Sequence, residues 1–167
     1  SLRDTERALC IVNVKRDARE LFQALEKSRD EDLFHLSTSM CPAHRKSTLE
    51  EIRGRLANRK PCLVIATQCV EAGVDIDFPV VYRALAPLDA IAQAAGRCNR
   101  NGMQSKGTLR VFHPRDPRYP SGYYKQATLL VTEMLAQAHG DLSIEDADVF
   151  REYYRRLYKL ASIEAQK

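Results

Sequence analysis

Short apolar runs alternate with segments of helical spacing over the first two thirds of the chain. The runs predict strands at about 8–14, 32–36, 62–66, 80–85 and 109–112. Between them, apolar residues three or four positions apart predict helices at about 15–28, 42–58 and 88–100. Runs that are apolar throughout are typical of strands covered by helices on both faces. We therefore predict an α/β fold of three layers, with a mostly parallel sheet between helices.

The pattern changes after His113. Residues 114–122 predict a loop rich in proline and charge, and two further helices are predicted at about 122–138 and 144–161. We expect 1–113 to form the main lobe and 114–167 a loop and helical extension packed on it, a single domain overall. The length of 167 residues is enough for one buried core.

Composition excludes several classes of protein. No apolar run reaches the roughly 18 residues of a membrane span, and the start of the chain is too polar for a signal peptide, so we expect a cytoplasmic protein with no membrane partner. The five cysteines lack a CxxC pair and the four histidines lack ligand spacing, which argues against a metal site. The net charge of +4 is compatible with a phosphate-bearing partner without requiring one.

The segment from Thr67 to Asp77 follows the third predicted strand at its carboxyl end, where parallel sheets bind ligands. Thr67 offers a hydroxyl, and the amides after it could bind a phosphate. Gly73 permits close approach of the backbone. Asp75 and Asp77 carry carboxylates that suit ribose hydroxyls or arginines. An ordinary loop with solvated acids explains this segment equally well.

The predicted helix 88–100 separates apolar from polar positions. Leu88, Ile91, Ala92 and Ala95 fall on one face, and Gln93, Gly96, Arg97 and Arg100 on the other. Glycine inside a helix costs about 1 kcal/mol relative to alanine, which indicates that another group approaches here. Two arginines one turn apart repel each other unless an anion lies beside them, and the guanidinium fork suits phosphate. A solvated basic helix end is the alternative.

Together the two segments resemble motifs of superfamily-2 helicases. The TQCVEAGVDID stretch from Thr67 to Asp77 resembles motif V, and QAAGRCNR from Gln93 to Arg100 resembles motif VI, with its QxxGRxxR signature. The residues of these motifs are more similar to those of the CRISPR-associated helicase–nuclease of type I interference systems than to those of DEAD-box or RecQ proteins. The resemblance covers about residues 7–113 well and the tail loosely. It implies a RecA-like second motor lobe.

The resemblance also implies roles for individual residues. Arg97 and Arg100 would be arginine fingers with Gln93 beside them, and Gly73, Asp75 and Gly96 would face the nucleotide. Thr67 and Gln68 would contact the nucleic acid. The chain contains neither a GxxxxGK[ST] loop nor a DExH tetrad, so ATP and Mg²⁺ would be held mainly by an N-terminal RecA-like lobe of the same protein. We expect the isolated domain to be inactive as an ATP hydrolase.

A second nucleic-acid surface is predicted around the start of helix 42–58. Ser37, Thr38 and Arg45 resemble the region after motif IV, which faces the single strand in this superfamily. Hydroxyls and arginine suit phosphate contacts, which position a strand without reading its sequence. A solvated basic face balanced by Glu50 and Glu51 is the alternative. Aromatic residues make up only 7% of the chain, which favours backbone tracking over base stacking.

The favoured hypothesis is one lobe of an ATP-dependent single-stranded DNA helicase or translocase that acts in CRISPR interference, an antiviral defence. The implied partners are single-stranded DNA, a nuclease domain of the same protein and an RNA-guided surveillance complex. The alternatives are a lobe of an RNA helicase or another DNA helicase, and a non-catalytic module that binds single strands.

Overall fold

A computed structural model of the protein describes residues 2–29, 31–71, 74–98, 107–140 and 142–164. Within these ranges, one parallel sheet has the strand order β2-β3-β1-β4-β5. Its strands are β1 (Arg7–Ile11), β2 (Leu33–Leu36), β3 (Cys62–Ala66), β4 (Val80–Ala84) and β5 (Thr108–Phe112). The helices are α1 (Lys15–Glu26), α2 (Pro42–Ala57), α3 (Leu88–Ala95), α4 (Tyr124–Gln137) and α5 (Ala147–Glu164). The predicted α/β fold with a parallel sheet between helices is confirmed.

The strand β1 lies in the middle of the sheet, between β3 and β4, and the side chains of β1 and β3 fill the core on both faces. Alternate residues of a strand point to opposite faces. Leu9 therefore packs in one cluster with Ile52 of α2, whereas Cys10 packs in another with Ala18 and Leu25 of α1. This alternation places helices on both sides of the sheet and leaves the carboxyl ends of the strands as the open edge.

A third apolar cluster joins the C-terminal helices to the lobe. Leu88 and Ile91 of α3 pack there with Leu130 and Val131 of α4 and with Tyr153 of α5. The extension therefore packs beside α3. A division of the chain between 113 and 114 stays a prediction. None of the helices in the described ranges is long and apolar enough to cross a bilayer.

Helix α3 ends at Ala95, so the prediction that it continues to Arg100 was wrong. The Gly96 amide still bonds to the Ala92 carbonyl, but the Arg97 carbonyl accepts the amide of Phe78 at 3.0 Å. The chain leaves the helix to make this pairing, and Gly96 and Arg97 lie just beyond the helix. The buried side of α3 also differs from the predicted one, because it contains Ala90 and Ala94 in place of Ala92 and Ala95. The first strand is shorter than predicted too, ending at Ile11.

Candidate functional site

The carboxyl edge of the sheet carries a groove of about 600 Å³. Because the strands are parallel, the segments that follow β1, β2 and β3 meet at this edge. Three predicted nucleic-acid-binding residues, Thr38, Thr67 and Gln68, come together here. The full lining consists of Asn13, Val14, Lys15, Thr38, Thr67, Gln68, Cys69 and Pro120. The groove is thus built from three strand ends and bordered by the loop that precedes α4.

Ser37 lies inside the fold and does not face the groove as predicted. Its side chain is 1% exposed, and its hydroxyl lies 2.9 Å from His35 Nε2 and accepts the Ser39 amide at 3.3 Å. These contacts hold the turn that presents the exposed Thr38. Arg45 is half-buried on α2 and is not among the residues that line the groove.

Arg97 lies across the segment that follows β3. Its Nε donates to the Val70 carbonyl at 3.1 Å, and its Nη2 donates to the Glu71 carbonyl at 2.8 Å. The side chain is half-buried. No carboxylate among the described residues forms an ion pair with Arg97. Its charge is balanced there only by carbonyl dipoles, so it can still attract an anion.

The other predicted nucleotide-facing residues divide between exposed positions and positions outside the described ranges. Gln93 and Gly96 are exposed at the end of α3, and Asp75 is exposed next to α2, whose Arg53 donates to the Asp75 carbonyl at 3.0 Å. A side chain added at Gly96 would meet only helix carbonyls among the described atoms, the nearer at 3.4 Å. The packing within the described chain therefore does not require glycine there. Gly73 and Arg100 lie outside the described residues.

A buried polar network that sequence reasoning missed lies directly behind this edge. Its centre is Arg83 of β4, whose side chain is 0% exposed. Arg83 Nε lies 2.9 Å from Glu71 Oε1, an ion pair without hydrogen-bond alignment. The guanidinium also donates to Asn13 Oδ1 at 2.8 Å and to the Tyr124 hydroxyl at 2.9 Å. The Tyr124 hydroxyl in turn donates to Asn13 Oδ1 at 3.0 Å, which closes the network.

Burial is the main influence on the pKa values of Glu71 and Tyr124 in this network. It raises the pKa of the Glu71 carboxyl, and the charge of Arg83 only partly offsets the effect. It also raises the pKa of the Tyr124 hydroxyl, again against the influence of Arg83. A buried ion pair is strongly destabilised when one partner is removed, because the other charge stays in a medium of low polarity. Glu71 and Arg83 therefore depend on each other.

One signal in the sequence could have identified the network. Arg83 interrupts an apolar run, and a charged residue within a central strand needs buried partners. Glu71 stands in the segment that was singled out for its chemistry, but its side chain serves the interior. Asn13 and Tyr124 are far from both in sequence, so no local spacing marks them.

Comparison with known proteins gives concordant matches. Residues 4–103 match the family described as CRISPR-associated nuclease/helicase Cas3, C-terminal. The CRISPR-associated nuclease/helicase Cas3 of Haloferax volcanii is 42% identical over 66 residues, which are 40% of this chain and 7% of that protein. The Streptococcus thermophilus protein of the same description is 36% identical over 97 residues, 54% of this chain and 10% of that protein. The matches thus span only a small part of these relatives.

Solved structures show the same fold. A crystal structure of T. fusca Cas3 with ADP has a TM-score of 0.74 and 23% identity, covering 92% of this chain and 21% of that chain. A CRISPR RNA-guided surveillance complex in a pre-nicking state contains a chain with a TM-score of 0.56 and 19% identity, covering 96% of this chain and 24% of that one. These likenesses extend over the C-terminal helices as well as the sheet.

Proposed function

Because this chain belongs to the family of the C-terminal helicase domain of Cas3, we propose that it is the second motor lobe of an ATP-dependent single-stranded DNA translocase. It supplies an arginine finger to a nucleotide that another lobe of the full-length protein holds. The two lobes together drive the strand along the carboxyl edge of the sheet, in CRISPR interference against foreign DNA.

The observation that carries this proposal is the setting of Arg97. It is half-exposed and is held by two carbonyls of the segment that follows β3, and by no carboxylate among the described residues. A guanidinium held in this way is preorganised to stabilise charge that develops on a transferred phosphoryl group. Arg100, three positions further along, is proposed as its companion, and Gln93 as a neighbour in the cleft.

This chain would supply one side of a nucleotide site whose other side belongs to the other lobe of the full-length protein. The solved relatives include T. fusca Cas3 with ADP and with ATP. ATP would supply the phosphoanhydride bond, and this chain would contribute Arg97, with Gly96 allowing close approach at the helix end. Among the described residues, no group of three or more His, Cys, Asp and Glu side chains is placed to hold a metal ion. We propose that Mg²⁺ is bound by the other lobe.

The groove suits a single strand. Thr38, Gln68 and Lys15 border it, and the groove-lining residues include no aromatic side chain. Hydroxyl, amide and ammonium groups contact phosphates and sugars, which gives backbone tracking without base readout. Thr67 is only 3% exposed, so we propose Gln68 as the main contact from the segment after β3, with Thr67 lining the floor of the groove and Arg45 reaching the strand further along α2. An RNA-guided surveillance complex, as in one structural relative, is the proposed recruiting partner.

The test is ATP turnover in the full-length protein with single-stranded DNA present. We expect Arg97→Ala, and equally Arg100→Ala, to lower turnover by roughly 10³–10⁵-fold while the Kd for ATP changes little, since the guanidinium acts mainly in the transition state. Arg155→Ala, at an exposed arginine of α5, is the matched control and should turn over normally. Unchanged turnover in both finger variants would sink the motor assignment and favour a stand-alone binding module.

A further inference from the structure

Glu71 holds one arginine at each end. Its side chain is 6% exposed and pairs with Arg83, while its main-chain carbonyl accepts from Arg97 Nη2 at 2.8 Å. Its amide is fixed as well, because it donates to the Gln68 carbonyl at 3.0 Å. The carboxylate and the carbonyl belong to one residue. A restraint on the carboxylate therefore limits the orientation of the carbonyl on which Arg97 rests.

The restraint continues from Arg83 into the C-terminal extension. Arg83 is fully buried and donates to the hydroxyl of Tyr124, the first residue of α4. Helix α4 packs against α3 and α5 in the third apolar cluster. A shift of α4 would therefore pull directly on the guanidinium that holds Glu71. Polar groups connected in this way around a fully buried guanidinium act as a unit because each bond fixes the geometry of the next.

We propose that Glu71, Arg83 and Tyr124 are positioning residues that tie the pose of Arg97 to the C-terminal helices. The inference rests on the proposed function of Arg97 and adds to it a site of control. Whatever holds α4 and α5 in the full-length protein sets how firmly the finger is presented to the nucleotide. None of the three residues touches the nucleotide in this scheme.

The test uses Tyr124→Phe in the full-length protein, with Tyr153→Phe as the matched control. Both tyrosines belong to the extension, but the buried Tyr153 hydroxyl forms no hydrogen bond with the network of Arg83. Tyr124→Phe removes the hydrogen bonds of the hydroxyl with Arg83 and Asn13. We expect it to lower kcat for ATP by about fivefold or more, since about fivefold corresponds to the loss of one such bond, with the Kd for ATP unchanged. Hydrogen–deuterium exchange of the amides at 67–71 should become faster in the same variant. The Tyr153→Phe protein should match the parent in both measurements.

Combination with Arg97→Lys separates this inference from the motor assignment. In the Arg97→Lys background, Tyr124→Phe should cause little further loss of kcat, because the group that it positions has been replaced. If Arg97→Lys alone keeps the parental turnover, the inference falls, and the motor assignment falls with it only if Arg100→Ala keeps the parental turnover as well. If Arg97→Lys is impaired while Tyr124→Phe behaves like Tyr153→Phe in turnover and exchange, only the positioning network is overturned. The same holds if Tyr124→Phe lowers kcat equally in both backgrounds.

Discussion

Arg83 and Arg97 contact the same glutamate, but they lie in opposite environments. Arg83 is sealed in the interior, with a carboxylate, an amide and a hydroxyl around its guanidinium. Arg97 is half-exposed beside the segment that follows β3, and its guanidinium contacts only carbonyl oxygens among the described residues. The comparison teaches that one side chain type serves two purposes here. The charge of the interior arginine is paired with a carboxylate of the same chain, whereas Arg97 has no carboxylate partner among the described residues.

The largest expected effect that distinguishes the two is on stability. Arg83→Met leaves the Glu71 carboxylate buried without its counter-charge, so the free energy of unfolding should fall by about 3–5 kcal/mol. Arg97→Met removes only two partly solvated bonds and should cost about 1 kcal/mol. Urea unfolding of the 167-residue chain measures both. Equal losses would contradict the comparison, and the double change Arg83→Met with Glu71→Leu should recover much of the loss.

The rates at which the cysteines are alkylated should show the same contrast between buried and accessible positions. Burial raises the pKa of the Cys10 thiol to about 12, despite the opposing charge of Arg83. Its thiolate fraction at pH 8 is therefore about a thousandfold below that of an ordinary thiol, and Cys10 should resist alkylation. Cys69 lines the groove and should be alkylated slowly. Cys41 is exposed outside the groove and should react fastest.

Single-stranded DNA should sharpen that pattern by protecting Cys69 several-fold while leaving Cys41 unaffected. Mass spectrometry of the full-length protein, with and without a bound oligonucleotide, measures the rates. A Cys69 rate that does not change when the oligonucleotide is bound would exclude this groove as the track.

The smallest expected effect concerns the loop that borders the groove. Arg118 ties this loop to α1 through Asp17 at 2.6 Å and Glu20 at 2.8 Å. The hydrogen bond from Arg118, helped by Arg16, lowers the pKa of the Glu20 carboxyl to about 2. A lowered pKa contributes stability above the ordinary value of 4.5 that is lost as the pH falls towards 2. Exposed ion pairs contribute little, so Arg118→Ala should lower the melting temperature only slightly.

The pH dependence of that difference is the informative measurement. The gap in melting temperature between parent and Arg118→Ala should be largest near neutral pH and should narrow in acid. A gap that stays constant down to the lowest pH at which the protein is folded would show that the loop is held by packing, not by charge.

The fold could be predicted because the central strands are apolar runs that can be recognised in the sequence itself. Cys62–Ala66 is apolar throughout and forms a strand with these bounds, since helices cover both of its faces. The end of α3 could not be predicted from periodicity. The spacing of residues 88–100 fits a continued helix, and the contact between Phe78 and Arg97 that ends the helix joins residues distant in sequence.

The candidate site divides in the same way. Thr38 was predicted to contact nucleic acid separately from Thr67 and Gln68, but all three line one groove, because parallel strands bring their carboxyl ends to one edge. Ser37 was assigned outwards although its hydroxyl points inwards, since strand alternation alone does not fix the face at a strand end. The Arg83 network depends on Asn13 and Tyr124, which are 111 positions apart, and no local pattern reports such a contact.

The glycine at 96 has a consequence for engineering this lobe. Its backbone angles of −64° and −2° are open to any residue, and the described surroundings leave room for a methyl group. Replacing glycine by alanine at a compatible position generally stabilises a chain by about 0.4–1 kcal/mol, because the unfolded state loses freedom. Gly96→Ala should therefore raise the free energy of unfolding of this lobe. If the other motor lobe approaches at Gly96 as proposed, the added methyl group should also lower ATP turnover, so stability and activity would change in opposite directions.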